Sequence, residues 1–412
     1  MNMNHNNIPQ FGVLQGIKVV HATASLAGPL AAELLAEYGA DVTWIENSTQ
    51  PDFMRYAIPG LFEHEHRNQK TISMNIPTEA GKEIFLRLLK NADIFIEASK
   101  GKQFDKWGLT DEVLWQTNPK LVIVHISGFG QSGVDKYVSR PSYDTIAQAY
   151  SGYMILNGYP DRPPIPAAPY PADCITGLFG TISALAALQR AQRTGIGESV
   201  DVSQFEAMMR VQTAAFGTFL DRDEVQPPRE GNSHPVAAGY GLYTCKDGET
   251  VFLQTAGAAI VKRAVKLLGL DYGSDDFPAG APAIFKELPS GQLFEERMIE
   301  FCMGRTSVEV DDQLNELNIP CSIVYDYKRC MADPHYAARQ VFTEWPNADG
   351  DMRKGINVIP KFIKNPGQIW RGSPRIGTDN DEVLKSAGYS EEEISKLWDL
   401  EVLSGERPTV EK

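Results

Sequence analysis

Hydrophobic and polar positions alternate along the first half of the chain with two different periods. Short, mostly apolar runs at residues 17–22 and 121–127 are typical of strands that are buried on both faces. Between such runs lie stretches such as residues 78–91, where apolar residues recur at helical spacing among charged ones. The repeated order of strand and helix predicts an α/β fold whose parallel sheet carries helices on both faces. Ligands of such sheets bind beyond the carboxyl ends of the strands.

The same patterns give the remaining elements. Further strands are predicted at residues 40–46, 93–98 and 198–202, and further helices at residues 27–38, 110–117, 143–153, 174–193 and 203–220. A polar segment that contains prolines, residues 221–235, precedes a predicted hairpin at residues 241–255 and helices near residues 260–268 and 292–302. Near the end of the chain, Ser390 with Glu393 three positions later predicts a capping box for a last helix.

Composition and charge restrict the classes of partner. The 412 residues include 39 Lys and Arg against 53 Asp and Glu, a net charge of −14. Without a global positive field, nucleic acids and anionic membranes are unfavourable partners, so an anionic ligand needs local basic clusters. The first ten residues do not resemble a secretory signal, and the longest uncharged apolar run, residues 174–188, is short for a membrane span. Five scattered cysteines favour a reducing, cytoplasmic location.

Three motifs have a structural interpretation that competes with a chemical one. Gly128, Gly130 and Gly133 match a dinucleotide fingerprint after a strand, but the next residues form a poor helix and no acidic partner follows, so a glycine turn is favoured. His64-Glu65-His66 lacks the spacing of a zinc motif and a clear third ligand, which predicts a solvated loop and no metal. Cys174 has no basic neighbour in sequence and is interpreted as a small buried residue.

Asp173 is the most informative residue, because it stands just before a long apolar helix at the end of a proline-rich segment. It is either an ordinary N-cap or a carboxylate that the positive helix end keeps ionised for nucleophilic attack. Basic residues also recur where we expect strands to end, which indicates a ligand rich in phosphate. These residues are Arg67, Lys70, Lys100, Lys102, Lys106, Lys136 and Arg140.

Several ordered segments resemble one enzyme family over essentially the whole chain. They are Ala27-Gly28-Pro29 with residues 39–42, then residues 94–101, 127–131, 169–173, 197–202 and 365–372. The sequence resembles the class III CoA-transferases, and within them the branch that contains L-carnitine CoA-transferase and bile-acid CoA-transferase. The resemblance implies that Asp173 is the nucleophile, with coenzyme A as both substrate and covalent intermediate and with no metal.

The resemblance also implies an architecture and further site residues. A Rossmann-like large domain is expected from residues 10–222 together with the return segment and tail at residues 329–412, and a smaller α+β domain from residues 223–328. Two chains are expected to interlock as a homodimer in the cytoplasm, and acyl-CoA and a small carboxylic acid are the expected partners. The CoA-binding residues that the resemblance implies are Ser25, Leu26, Ala27, Gly28, Asn68, Lys70, Lys100, Lys106, Tyr143 and Asp144.

The chain departs from the family pattern at three places. Leu26 stands where some members have Gln, and Asn47 stands where they have Arg after the second strand. The four-glycine loop that shields the intermediate in the formyl-CoA branch is missing, and residues 237–241 are the nearest segment.

Alternative functions and acceptors stay open. An α-methylacyl-CoA racemase would share the fold, but it has a His-Asp pair where this chain has Tyr143-Asp144, and tyrosine is a poor base at neutral pH. A CoA-binding protein without catalysis is disfavoured by the complete Pro-Tyr-Pro-Ala-Asp segment. Betaine acids such as carnitine, crotonobetaine or γ-butyrobetaine are the favoured acceptors, because tyrosines could meet a trimethylammonium group, and a bile acid is the alternative. The candidate tyrosines are Tyr143, Tyr150, Tyr153, Tyr170 and Tyr240.

Overall fold

The computed structural model describes residues 8–407 of the chain. The strands are β1 (Lys18–Ala22), β2 (Asp41–Asn47), β3 (Lys70–Met74), β4 (Ile94–Glu97), β5 (Val122–Ser127), β6 (Glu198–Ser203), β7 (Tyr240–Thr244), β8 (Thr250–Gln254), β9 (Cys321–Ile323), β10 (Phe342–Pro346) and β11 (Met352–Ile356). The helices of the first half are α1 (Ala27–Glu37), α2 (Met54–Ala57), α3 (Pro59–Glu65), α4 (Glu79–Leu89), α5 (Gln103–Lys106), α6 (Asp111–Thr117), α7 (Asp135–Val138), α8 (Asp144–Tyr150) and α9 (Pro171–Thr194). The later helices are α10 (Gln204–Arg210), α11 (Thr213–Asp221), α12 (Ala258–Leu267), α13 (Pro289–Met303), α14 (Ser307–Glu316), α15 (Tyr327–Ala332), α16 (Pro334–Ala338), α17 (Asn380–Ser386) and α18 (Glu391–Asp399).

A six-stranded parallel sheet organises the larger part of the molecule. Its strand order is β3-β2-β1-β4-β5-β6. The order reverses between β1 and β4, which are neighbours in the sheet but not in sequence. In doubly wound sheets, the crevice beside that reversal is where ligands bind. The predicted α/β fold class, a large parallel sheet with a smaller antiparallel one, is confirmed.

Hydrophobic cores lie on both faces of this sheet, as its apolar strands predict. One core contains buried residues of α4, β4, α6 and α17, including Phe85, Phe95 and Leu384. The other is formed by α1 and α9 against the opposite face. These two helices approach closely through small residues, because a Cβ atom on Gly177 would lie 2.8 Å from the Ala27 carbonyl oxygen. Helix α9 has the length and composition of a membrane span, but half of its apolar stretch is buried inside the protein, as in a core helix.

The C-terminal tail packs on the free edge of the sheet. The Asp379 carboxylate accepts a hydrogen bond from the Thr71 backbone amide at 2.9 Å, and the Asn380 side chain accepts one from Ser73 at 2.9 Å. Asn380 also donates to the Ser404 carbonyl oxygen at 2.9 Å. These bonds satisfy backbone groups that the edge strand β3 would otherwise leave without partners.

The chain divides into two compact units. The first contains residues 8–153, 166–214 and 340–407 of the described chain, and the second contains residues 154–165 and 215–339. Within the second unit, the antiparallel strands β7, β8 and β9 surround a core with α12, α13 and α14.

The unit boundaries differ from the predicted 10–222, 223–328 and 329–412. Residues 154–165 group with the second unit because the Arg229 guanidinium donates hydrogen bonds to carbonyl oxygens of this segment, at 2.6 Å for Arg162 and 3.1 Å for Tyr159. Helix α15 also groups there, and its Arg329 pairs with Glu249 at 3.3 Å.

The structure differs from the predicted elements in three places. The single helix expected at residues 203–220 is broken into α10 and α11, and at the break the Gln212 side chain bonds back to the Met208 carbonyl oxygen at 2.9 Å. Strand β3 and the β10–β11 hairpin lacked a recognisable apolar pattern in the sequence. The capping box of Ser390 and Glu393 is confirmed at the start of α18.

We predict that Asn380→Ala lowers the free energy of unfolding of the first unit by about 2 kcal/mol, because the buried Ser73 amide and the partly buried Ser404 carbonyl group lose their partner. Urea unfolding followed by tryptophan fluorescence measures this difference. Asn91→Ala, at an exposed position, is the control and should leave the unfolding midpoint unchanged. Equal midpoints for the two variants would contradict the role of the Asn380 side chain.

Candidate active site

Asp173 lies in the first turn of α9, where the chain enters the helix through a sharp turn. Tyr170 precedes the helix in the left-handed conformation (φ 53°), and Pro171 occupies its first position. Proline suits that position, because its missing N–H group would have no partner inside the helix. The turn places the Asp173 side chain, which is only 8% exposed, beside the carboxyl ends of the sheet strands.

The cap of this helix is Asp144, not Asp173. One oxygen of the Asp144 carboxylate accepts the backbone amides of Ala172 and Asp173, at 2.7 and 3.1 Å. Its other oxygen accepts a hydrogen bond from the Gln148 side chain at 2.5 Å. Asp144 thus supplies the negative charge that the positive helix end favours. The N-cap interpretation of Asp173 is wrong, and its carboxylate does not serve to cap the helix.

Gln204 is the residue that holds the Asp173 carboxylate. Its side-chain amide donates a hydrogen bond to Asp173 Oδ1. Among residues 8–407, Oδ2 has no hydrogen-bond partner. Burial raises the pKa of Asp173 to about 7, the Asp144 carboxylate raises it as well, and the hydrogen bond from Gln204 acts in the opposite direction. A carboxylate with one fixed oxygen and one free oxygen can act as a nucleophile.

A cavity of about 220 Å³ opens in front of Asp173. It lies beyond the carboxyl ends of β1, β4 and β5, where the fold predicts a ligand site. Its lining includes Ser25, Leu26, Ala27, Gly28, Ser99, Lys100, Arg140, Tyr143, Asp173 and Gln204. Two cations, Lys100 and Arg140, therefore reach the same space as the nucleophile.

A second cavity, of about 180 Å³, follows the carboxyl ends of β1, β2, β3 and β4. It shares Ala24, Ala98 and Ser99 with the first cavity, so the two cavities are contiguous. Trp44, Asn47 and other residues supply a mixture of aromatic, amide and carboxylate groups. The pair of cavities forms an extended path that ends at Asp173.

Buried carboxylates fix the two loops between these cavities. Asp52 accepts a hydrogen bond from the Ser25 backbone amide at 2.9 Å, where Ser25 has a positive φ of 74°. Glu97 accepts one from the Ser99 amide at 2.7 Å. Glu97 is in turn 2.7 Å from the Nδ1 atom of His125. Both loops are therefore held in place by carboxylate side chains of the protein itself.

The predicted site residues fall into groups. Ser25, Leu26, Ala27, Gly28, Lys100 and Tyr143 line the cavity of Asp173. Asp144 lies beneath Asp173 as the cap of α9. Lys106 is exposed and does not line either cavity, although its neighbours Phe104 and Trp107 line the second one.

Asn68 and Lys70 differ from the prediction that they line the CoA path. The buried Asn68 side chain binds the return segment, donating to the Gln368 carbonyl oxygen and accepting the Trp370 amide. Lys70 begins β3 at the amino edge of the sheet, opposite to Asp173, and pairs with Asp41 at 3.1 Å. The prediction placed Lys70 at a strand end because β3 itself was overlooked.

None of the remaining candidate motifs supplies a catalytic group, although Gly128 lines the cavity of Asp173. The helix α7 that follows Gly133 spans only Asp135–Val138, and Gly130 and Gly133 have positive φ angles of 88° and 115°, so this segment is a glycine turn. Cys174 is partly buried, and burial with nearby carboxylates raises the pKa of its thiol to about 11, so no thiolate competes with Asp173. His64-Glu65-His66 is not a solvated loop, because it ends α3 and His66 is fully buried.

Gln204 and Asp52 were not among the predicted site residues, and Arg140 was predicted only as one basic residue among several. Gln204 directly follows the last strand of the sheet, so its place at a carboxyl end was detectable from the strand pattern. The role of Asp52 could not be detected from the sequence, because Asp52 binds a backbone amide, that of Ser25, 27 positions away.

The chain is similar to known proteins of one family. The model of CoA-transferase family III matches residues 14–380. The chain belongs to this family. A CAIB/BAIF family protein from Brucella suis is 27% identical, with 92% of this chain and 100% of that chain covered and a TM-score of 0.76. Rv3272 from M. tuberculosis shares the fold at 21% identity, with 90% and 99% covered and a TM-score of 0.78. Family III membership makes the protein a CoA-transferase.

We predict that Gln204→Leu shifts the acid limb of the pH profile of kcat/KM for acyl-CoA to higher pH. In the wild type, this limb should rise through pH about 7, as Asp173 ionises. Loss of the hydrogen bond to the carboxylate favours the protonated form and so raises the pKa further.

Gln212→Leu, another buried glutamine of this region, is the matched control and should keep the wild-type limb. An unchanged limb in Gln204→Leu would show that this hydrogen bond does not stabilise the ionised form of Asp173.

Proposed function

We propose that the protein moves CoA from an acyl-CoA to a free carboxylic acid of the betaine type through covalent intermediates on Asp173. The observation that carries the proposal is the Asp173 carboxylate, which faces a cavity with one oxygen held by Gln204 and the other free. Carnitine, crotonobetaine and γ-butyrobetaine are the proposed acids.

In the proposed reaction, the carbonyl carbon of the acyl group and that of the Asp173 side chain are attacked in turn. Asp173 attacks the thioester of acyl-CoA, which forms a mixed anhydride and releases CoA thiolate. The thiolate attacks the Asp173 carbonyl, which expels the acid and leaves an aspartyl-CoA thioester. An incoming carboxylate attacks this thioester to form a second anhydride and thiolate. The thiolate then attacks the acyl carbonyl, which yields the new acyl-CoA and frees Asp173.

The two contiguous cavities support binding of CoA along the carboxyl edge of the sheet. The first turn of α1, with Ala27 and Gly28, faces the same cavity as Asp173 and supplies backbone amides of the kind that bind phosphate. Lys100 and Arg140 add positive charge there. Contacts far from the reacting bond can supply binding energy that positions the thioester at Asp173.

The state of Asp144 argues against the racemase alternative. A racemase needs a base on each side of the substrate α-carbon. Both oxygens of Asp144 are engaged, one by the amides of α9 and the other by Gln148, and the residue is 4% exposed. Asp144 therefore acts as a cap rather than as a free base.

Tyrosines near Asp173 support a betaine acid as acceptor. Tyr143 lines the cavity of Asp173 and is 60% exposed, and Tyr170 is 39% exposed directly before α9. An aromatic face attracts a quaternary ammonium group. A bile acid is the alternative acceptor.

The expected homodimer and cytoplasmic location remain part of this proposal. Leu178 and Ile182 of α9 are 48% and 62% exposed, and an apolar helix face of this kind supports coverage by a second chain. In such a dimer, the surface of α9 that the large unit leaves open would be buried.

We predict that borohydride added during turnover reduces the aspartyl thioester to an alcohol at position 173. Mass spectrometry of the peptide that contains residue 173 detects the change. Asp173→Ala should lower kcat by about 10⁴-fold or more, because the nucleophile is lost, while CoA binding by calorimetry stays measurable. Asp161→Ala, at an exposed position, should keep wild-type turnover, and full activity of Asp173→Ala would refute the mechanism.

The acceptor is tested with a pair of substrates that have the same shape but differ in the charge of one group. We predict that Tyr143→Ala raises KM about tenfold for carnitine, since a cation–π contact is lost. KM should not change for the analogue in which an uncharged tert-butyl group replaces trimethylammonium. Wild-type preference for cholate over both acids would instead favour the bile-acid alternative.

A further inference from the structure

A second group of buried charges lies in the first unit, apart from Asp173. Glu33 and Glu37 of α1 are each 2% exposed, Glu65 of α3 is 6% exposed, and Arg67 is 1% exposed. His64, also on α3, lies with its Nδ1 atom 2.9 Å from Glu33 Oε1. These five residues are called the α1–α3 cluster below.

The charges of the α1–α3 cluster do not cancel. Arg67 is a single cation, and it pairs with Glu37 and, at 3.3 Å, with Glu33. Three ionised carboxylates beside one guanidinium leave two uncompensated negative charges in a buried place. Buried charges are normally paired or bound to a metal ion, so the cluster needs either protons or a further cation.

One potential ligand atom of the α1–α3 cluster is buried without a partner. Among residues 8–407, Oε2 of Glu65, a residue only 6% exposed, makes no hydrogen bond. One potential ligand atom from each of Glu33, His64 and Glu65 lies within 4.8 Å of those of the other two. The His64 side chain keeps 24% of its surface exposed, so the cluster lies close to solvent.

A second histidine with two carboxylates shows what a saturated cluster looks like. His125 contacts Glu97 through Nδ1 at 2.7 Å and Asp111 through Nε2 at 3.0 Å. Both ring nitrogens therefore have partners. Burial alone would lower the pKa of His125, but the hydrogen bonds to Asp111 and Glu97 outweigh it and raise the pKa to about 10. That cluster is complete without an ion, whereas the α1–α3 cluster is not.

We propose that Glu33, His64 and Glu65 form a binding site for one divalent transition-metal ion of the Zn²⁺ class. One imidazole and two carboxylates are a donor set that zinc accepts, with a further position left for water. The double positive charge would balance the two uncompensated negative charges of the α1–α3 cluster. The sequence predicted no metal at His64-Glu65-His66 because no third ligand was evident, and the third ligand proposed here, Glu33, lies on another helix.

The proposed ion has a structural role. Trp345 of β10 packs edge-on against His64 at 5.8 Å between ring centroids, and Arg67 donates to the Ile356 carbonyl oxygen of β11 at 2.9 Å. An ion in the cluster would therefore tie α1 and α3 together beneath the β10–β11 hairpin. Binding only to the folded state raises the unfolding temperature.

The test uses the full chain without an affinity tag, freed of metal by a chelator and then dialysed against Zn²⁺. Elemental analysis should find one ion per chain, and the unfolding temperature should rise with Zn²⁺. Glu65→Gln and His64→Gln should each weaken binding by more than about tenfold, since even loss of a residue that only supports a ligand costs that much. Both variants should also lose the Zn²⁺-dependent rise in unfolding temperature.

His335→Gln, which alters an exposed histidine outside the cluster, is the matched control and should bind Zn²⁺ like the wild type. CoA-transferase activity of the metal-free variants shows that they fold. If the variants do not fold, the visible spectrum of the wild type loaded with Co²⁺ tests the site instead. The proposal predicts a spectrum typical of imidazole and carboxylate ligands. Equal Zn²⁺ uptake by the wild type and Glu65→Gln would overturn the proposal, because the ion would then bind elsewhere on the surface. No uptake by the wild type would also overturn it, and would show that protons alone neutralise the cluster.

Discussion

The active site depends on keeping one carboxylate ionised while it is mostly removed from water. The pKa of about 7 for Asp173, against about 3.9 in an unfolded chain, corresponds to a cost on the order of 4 kcal/mol once the group is ionised. The folded state therefore gains stability from a protonated Asp173 below the unfolded pKa, and that gain is lost as pH rises through about 7. Asp144 holds the helix end so that Gln204 alone restrains the nucleophile.

Buried charges position the loops of this site as well as its nucleophile. Asp52 fixes the Ser25 amide, and Glu97 fixes the Ser99 amide while His125 balances its charge. Such anchors are costly to bury but hold backbone amides in one geometry before a ligand arrives. A preorganised loop loses less conformational freedom on binding, and more of the CoA contact energy is then available to position the thioester.

The sequence predicted those features that depend on local pattern. Buried strands such as β1 and β5, the long helix α9 and the capping box of Ser390 follow from periodicity and composition within one segment. Strand β3 was overlooked because three of its five residues, Lys70, Thr71 and Ser73, are polar. Its edge is satisfied by Asp379 and Asn380 from the distant tail. Long-range pairing of this kind leaves no local pattern.

The site, like the fold, was predictable only where a local pattern marks a residue. Asp173 stands out locally as an acid at a helix start. The residue that caps this helix, Asp144, and the hydrogen-bond donor to Asp173, Gln204, lie 29 and 31 positions away from it in sequence.

The direct test of covalent catalysis by Asp173 is turnover with an acceptor whose carboxylate carries ¹⁸O, in ordinary water, followed by mass spectrometry of the peptide that contains Asp173. The anhydride route predicts that one ¹⁸O atom passes to the Asp173 carboxylate. Product formation with an unlabelled peptide would contradict it.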